Sequence, residues 1–358
     1  MKLLFITNGI NGSNGLERVL SIKTAFLADQ AQYEVAILVL NHNHKNPFYN
    51  FNSKIHFYSI DVSGNPYAYY KSYKRGIQKT INDFQPNIIS VCDDGLKGFF
   101  LPKLVKTTAK WIYERHASIA LNTSQSLKGW IIKKLMFAQI QNFSKFVVLT
   151  PNNIKEWNQQ NVIAIPNPLS FKSEISSSLE EPTIIAVGSH TWNKGYDLLI
   201  QAWEQLESKF PDWNVKIFGK MDPAEIFVNL TKEKQLKRIH FFEPTKDIQS
   251  EYLKSSLLVL PSRSEGFGMV LIEAMECGLP CVSFDCPSGP RDIIKNNEDG
   301  FLVAPQNVDA LVAKIELLME NKLLRKQMGQ KAKINVNRYS VENIMKEWLA
   351  LYESVIRK

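Results

Sequence analysis

The sequence has no disulfide framework. Its 358 residues hold four cysteines, Cys92, Cys277, Cys281 and Cys286, and no Cys-x-x-Cys. That excludes a cystine-stapled scaffold and a cysteine-built zinc site, and points to reduced thiols in a cytoplasmic protein. No run approaches the roughly 18 uninterrupted apolar residues of a spanning helix. The apolar stretch after Lys2 stops at Thr7-Asn8, so no secretory signal is expected. Internal repeats and low-complexity tracts are missing too. The first glycines, Gly9, Gly12 and Gly15, are spaced three and three. That is not the Gly-x-Gly-x-x-Gly dinucleotide fingerprint, which argues against a nicotinamide-dependent oxidoreductase. No Asp-x-Asp stands at a strand end, and Asp93-Asp94 is the one adjacent acidic pair of the N-terminal half. Metal dependence is therefore not expected.

What is present is ordinary in composition and uneven in charge. Hydrophobic residues make up 44% and charged residues 22%, as in a soluble globular protein. The length suits two α/β domains better than one. Residues 1–168 carry 19 basic and 9 acidic side chains, and the rest carry 24 and 26. The N-terminal half should therefore meet something anionic: nucleic acid, a membrane surface or a phosphorylated molecule.

Short apolar runs alternate with helical segments. Residues 3–7, 35–40, 88–92, 111–113 and 146–149 read as buried strands, with a helix over 16–29 after the glycine turn. Pro166-Asn167-Pro168 breaks the rhythm, and the polar stretch 170–182 reads as a linker. The alternation resumes with strands at 183–187, 215–218, 257–260, 281–284 and 301–303, helices between them (one over 196–210), and a last amphipathic helix over about 340–356. Two such series predict two parallel, doubly wound sheets.

The most informative segment is Ser264-Glu265-Gly266-Phe267-Gly268-Met269, followed by Glu273 and Glu276-Cys277-Gly278-Leu279-Pro280. It lies at the carboxyl end of a predicted strand, where open α/β sheets bind ligands. Gly266 and Gly268 allow close backbone approach, and a helix starting near Gly268 offers free amides and a positive dipole end to phosphate or sugar oxygens. Carboxylates accept paired hydrogen bonds from vicinal hydroxyls, and the spacing of Glu265 and Glu273 would let both face one cleft if helical.

With Glu265 and Glu273 separated by seven residues, the segment resembles glycosyltransferase family 4. Val187-Gly188 with Lys194-Gly195 and Asp197-Leu198-Leu199-Ile200 resembles the family's other donor-domain signature. Residues 286–294 (Cys-Pro-Ser-Gly-Pro-Arg-Asp-Ile-Ile) are similar to a loop of bacterial members that assemble polysaccharides, and Gly15-Leu16-Glu17-Arg18-Val19 to the turn and helix facing the donor phosphates. The resemblance covers most of the chain. It implies the GT-B fold: an N-terminal Rossmann-like acceptor domain over 1–168, a nucleotide-sugar donor domain over 169–339, a cleft between the two facing domains, and a helix over 340–358 crossing back.

It also implies roles. Glu273 would bind the ribose hydroxyls and Glu265 those of the donor sugar. The Phe267-Gly268-Met269 backbone would approach sugar and phosphate, Lys194 would pair with the diphosphate, and His116 would lie near the acceptor and the reacting carbon. Gly15, Arg18, Gly188 and Ser189 would border the donor. Family members usually carry Arg where this chain has Ser189, a departure that Arg263 or Arg18 could offset. The implied activity is a retaining, metal-independent transfer of a hexose or N-acetylhexosamine from a nucleotide-diphosphate sugar, expected to be a UDP-sugar. Same-face attack assisted by the donor phosphate is the usual proposal for its mechanism. The acceptor would be a glycan or lipid-linked glycan of a bacterial lipopolysaccharide or capsule, and nucleic acid is not implied. The stretch 127–140, mixing lysines with Trp130 and large apolar residues, could rest on an anionic inner membrane face. The rival reading is a non-catalytic paralogue that binds glycan or partner proteins, with Ser189 as its support.

Overall fold

The computed structural model describes residues 1–117 and 127–357. The chain divides into two compact units, Met1–Pro168 with Val341–Lys358, and Leu169–Ser340. Each is built on one parallel sheet.

The first unit contains β1 (Lys2–Ile6), β2 (Glu34–Leu40), β3 (His56–Ile60), β4 (Ile88–Val91), β5 (Lys110–Glu114), β6 (Lys145–Val148) and β7 (Val162–Ala164), in the order β3-β2-β1-β4-β5-β6-β7. β1 runs between β2 and β4, and its Leu3, Leu4, Phe5 and Ile6 are buried on both faces. Helices on each side exclude water, hence the unbroken apolar runs. The first helix, Gly15–Asp29, buries Val19, Leu20, Lys23, Thr24 and Leu27, the i, i+4 stripe of a core-facing helix. One of those positions is a lysine. The last helix, Val341–Ile356, belongs to this unit and packs on the first helix.

The second unit contains β8 (Thr183–Val187), β9 (Asn214–Phe218), β10 (Ile239–Phe242), β11 (Leu257–Leu260), β12 (Cys281–Phe284) and β13 (Gly300–Val303), in the order β10-β9-β8-β11-β12-β13. In both sheets the chain steps outward from a central strand and then returns to its other side. The order reverses between β1 and β4 and again between β8 and β11, and such a switch point is where an open α/β sheet leaves a crevice.

Three strands escape the sequence reading: β3, β7 and β10. All are edge strands, each with one buried residue among partly or fully exposed ones, so they lack the continuous apolar run that marked the central ones. The helix expected to reach residue 210 ends at Leu206. The stretch 170–182 is no free linker. Ser177 donates its N–H to the Cys277 carbonyl (2.8 Å), Ser173 donates its N–H to Glu276 (2.9 Å), and the Arg325 guanidinium donates to the Leu179 carbonyl (3.1 Å). Polar residues that satisfy neighbouring backbone groups look in sequence like a solvated tether.

Candidate active site

The loops that leave β8 and β11 meet at the second unit's switch point. Gly188 follows β8, and its carbonyl accepts the Tyr196 hydroxyl (3.0 Å). A Cβ on Gly188 would stand 3.1 Å from Lys194 Cε, so its absence lets the lysine stem lie along the backbone. A short turn, Trp192–Lys194, ends at Gly195, whose φ is 67°. A Cβ on Gly195 would fall 2.0 Å from the Pro261 carbonyl oxygen. Only glycine allows both that left-handed conformation and that approach.

Contacts between the loops hold them together. Asn193 donates its side-chain amide to the Ser264 carbonyl (2.8 Å), and the Arg263 N–H donates to the Asn193 carbonyl (2.8 Å). Lys194 Nζ then lies 2.7 Å from Glu265 Oε1, with the two side chains 23% and 9% exposed. That burial makes the pair stronger than a surface bridge, while the ammonium keeps an open side. Arg263 is committed within the loops. It forms a two-pronged pair with Asp197 (2.8 and 2.6 Å), donates to the Trp192 carbonyl (2.7 Å), and stacks its guanidinium 3.7 Å from the Trp192 ring centroid. The suggestion that Arg263 offsets Ser189 thus meets a guanidinium already used to brace the loops. Ser189 is half-buried and offers no cation.

The next helix, Met269–Glu276, starts at Gly268 (φ 103°), with no side chain capping it. Its first two amides, Met269 and Val270, therefore remain donors, while the Leu271 N–H donates to the Gly268 carbonyl (2.9 Å). Phe267 is buried and edge-on to Tyr339. Glu265 sits four residues before this helix, so helical spacing does not relate it to Glu273. Glu273 is wholly buried, accepting the Ser170 hydroxyl on Oε1 (2.7 Å) and the Tyr252 hydroxyl on Oε2 (3.1 Å). The two carboxylates do not share an open face within this unit. His190 is also buried, edge-on to Tyr196 and Phe241, and burial lowers its ring pKa. It packs as a neutral aromatic ring.

In the first unit, Gly15 opens the first helix, and Arg18 lies 4.9 Å from the Tyr49 ring centroid. His116 follows β5. Its N–H donates to Asp94 Oδ1 (2.9 Å), and its Nε2 lies 3.5 Å from Glu114 Oε2, within ion-pair reach once the ring is protonated. Glu114 is buried and accepts from the Lys23 ammonium and the Ser90 hydroxyl. Burial alone would raise its pKa, but Lys23 and His116 outweigh that and hold it at about 2. The Lys23 ammonium also lies 3.9 Å from the Trp348 ring centroid and 5.0 Å from that of Phe5, so the last helix roofs this charge.

Among the described residues, Cys92, Glu114 and His116 bring three metal-capable atoms within 4.8 Å of one another. Lys23 already neutralises the carboxylate. Burial pushes the Cys92 thiol well above its ordinary range, disfavouring the thiolate a metal needs. An internal ion pair accounts for the cluster better. Lys23 and Glu114 were not singled out from sequence, although a lysine on the apolar stripe of the first helix was a visible signal.

The helix Leu127–Ile140 leaves Leu127, Trp130, Ile131 and Leu135 exposed, with the Lys134 ammonium 3.9 Å from the Trp130 ring centroid. No helix among the described residues is long and apolar enough to cross a membrane.

A family model described as glycosyl transferases group 1 matches residues 170–335. An uncharacterized glycosyltransferase of Haemophilus influenzae is 30% identical over 358 residues, covering 97% of this chain and 98% of its own. The amylovoran biosynthesis glycosyltransferase AmsD of Erwinia amylovora is 28% identical, with 97% and 98% covered. The solved structure of Anabaena HepE in complex with UDP and glucose shares the fold, with a TM-score of 0.79, 15% identity, and 99% and 100% covered.

Proposed function

The chain belongs to the glycosyl transferases of group 1, and on that premise we propose that it moves a hexose or N-acetylhexosamine, with retention, from a UDP-sugar to a glycan or lipid-linked acceptor in surface-polysaccharide assembly. The observation that carries the reading is the Lys194–Glu265 pair, held by two zipped loops at a sheet switch point beside an uncapped helix start. UDP is the nucleotide named with HepE, and polysaccharide biosynthesis is in the name of AmsD.

In this reading Lys194 faces the donor diphosphate. As the sugar C1–O bond breaks, its electron pair leaves with UDP, and the ammonium stabilises the growing charge. Glu265 orients Lys194 and accepts a donor-sugar hydroxyl, while the amides after Gly268 meet sugar or phosphate oxygens. The acceptor oxygen bonds to C1 from the face the phosphate leaves, and its proton passes to that phosphate. Glu273 reaches the ribose by exchanging the Ser170 hydrogen bond for a ribose hydroxyl. His116 and Arg18 would act from the first unit. The loops present an ammonium toward that charge, and a metal-independent transfer is part of the proposal.

The test is a thermal-shift panel of UDP, GDP, ADP and NAD. UDP at about 100 times its dissociation constant should add roughly 2.7 kcal/mol of stability, NAD none, and Lys194→Ala should shrink the UDP shift. A shift with NAD alone would reverse the assignment, and UDP binding without transfer of any sugar would favour a non-catalytic paralogue.

We also propose that the exposed face of the helix Leu127–Ile140 rests on an anionic membrane, its apolar side chains entering the interface and Lys128, Lys133 and Lys134 meeting headgroups. Co-sedimentation with phosphatidylglycerol vesicles should drop at least about tenfold in Trp130→Glu. Equal sedimentation of both proteins would remove the membrane from the account.

A further inference from the structure

The loops leaving β8 and β11 are short of positive charge for the ligand assigned to them. Both phosphates of a nucleotide-diphosphate sugar are anionic, and the departing nucleoside diphosphate gains a further charge. Against this, Lys194 is paired with Glu265 (2.7 Å) and Arg263 with Asp197 (2.6 Å). Each cation therefore arrives with a carboxylate beside it. Ser189 adds a hydroxyl and no charge, and the amides after Gly268 contribute only partial charges. A diphosphate held here calls for an unpaired cation from another element.

The neighbouring strand carries one. β9 runs parallel beside β8, with Phe218 opposite Val187, and the pairing continues past both strand ends. The Gly188 N–H donates to the Phe218 carbonyl (2.8 Å), and the His190 N–H donates to the Lys220 carbonyl (2.9 Å). Gly219 makes this approach possible. A Cβ there would fall 1.9 Å from the Gly188 carbonyl oxygen and 3.1 Å from the Ser189 nitrogen. The backbone of Lys220 is thus fixed directly beside residues 188–190. Its side chain is exposed, and among the described residues its ammonium has no ion pair or hydrogen bond. Two acidic residues, Asp222 and Glu243, lie close enough to act on the His190 ring, yet neither pairs with Lys220.

We propose that Lys220 is a second cation of the donor diphosphate site, supplying from β9 the charge that Ser189 does not. A lysine suits the task, being a compact charge on a flexible stem that can swing to a phosphate oxygen without moving the backbone. Arg263 has no such freedom, because its guanidinium is held by Asp197, the Trp192 carbonyl and the Trp192 ring. The role differs from that of Lys194. Lys220 meets the diphosphate equally before and during bond breaking, so it contributes to binding and not to the chemical step. This rests on the nucleotide-sugar reading above, since it adds a residue to that donor site.

The experiment is calorimetric titration of the full chain with UDP. Lys220→Ala should weaken UDP about tenfold, as loss of one charge-assisted hydrogen bond implies. Melting of the unliganded protein should not change, because the side chain makes no contact. Lys220→Arg should bind like the parent, and Lys220→Glu should bind more weakly than Lys220→Ala. Adding Ser189→Arg to Lys220→Ala should recover much of the lost affinity, since it returns a cation to the same edge. In steady-state kinetics the loss in Lys220→Ala should fall on the donor KM, with kcat near the parent's. Unchanged UDP binding in both Lys220→Ala and Lys220→Glu overturns the inference. So does equal weakening in Lys220→Arg, because charge would then not be what matters. A parent that binds UDP without any response at Lys220 fails this inference alone, whereas a parent that binds no UDP undoes the donor reading itself.

Discussion

Lys194→Ala is expected to lower turnover by about 100-fold or more while leaving KM for the donor within a few-fold, because the missing charge matters most as the diphosphate departs. Lys194 stands 2.7 Å from Glu265 and keeps an exposed side, and Ser189 supplies no cation beside it. Arg263 is fully engaged with Asp197, Trp192 and its ring. Glu265→Gln should cost less than Glu265→Ala, since an amide can still receive the ammonium's hydrogen bond. Steady-state kinetics on the three variants would decide. Near-normal kcat in Lys194→Ala would sink the assignment. Equal losses in kcat/KM carried wholly by KM would make Lys194 a uniform binding residue rather than one that acts in the transition state.

The second large effect is on stability. Lys23→Met should destabilise the first unit by about 3–5 kcal/mol, because it strands the buried Glu114 carboxylate without its counter-charge. The double variant Lys23→Met with Glu114→Gln should recover much of that loss, since the stranded charge goes with it. Urea unfolding, following the transition assigned to the first unit, would read both. A single variant as stable as the parent would contradict the description of the pair as buried and coupled. Acid should act in the same direction. Glu114 has its pKa depressed from 4.5 to about 2, so its contribution is present above the unfolded value and is lost as pH falls through that window.

Central strands were legible because burial on both faces leaves an unbroken apolar run, as in residues 3–6 and 257–260. The edge strands β3, β7 and β10 were not, because one side of each lacks a partner and its composition is mixed. The site was legible in part. Lys194 and Glu265 were both named from sequence, and the structure brings them together. Their meeting depends on Gly195 passing the Pro261 carbonyl, a contact across 66 residues that no local pattern encodes. The fate of Arg263 was hidden for the same reason, because Asp197 looks like an ordinary acidic residue at a helix start. The helix start near Gly268 was read from sequence, but Glu273 was expected to face one cleft with Glu265, and the helix instead turns it inward to Ser170 and Tyr252. Lys23 was the one miss with a signal in plain view: a lysine between Val19, Leu20 and Leu27 breaks the apolar stripe, and a charge there needs a buried partner.

The central claim is that the loops leaving β8 and β11 hold the donor nucleotide, and amide hydrogen exchange with and without UDP tests it most directly. The account predicts slower exchange at residues 188–195 and 263–273, with the protection restored in Lys194→Ala when UDP is raised a few-fold, since that lysine acts chiefly as the diphosphate departs. No protection in either segment, with UDP bound by an independent measure, would contradict it.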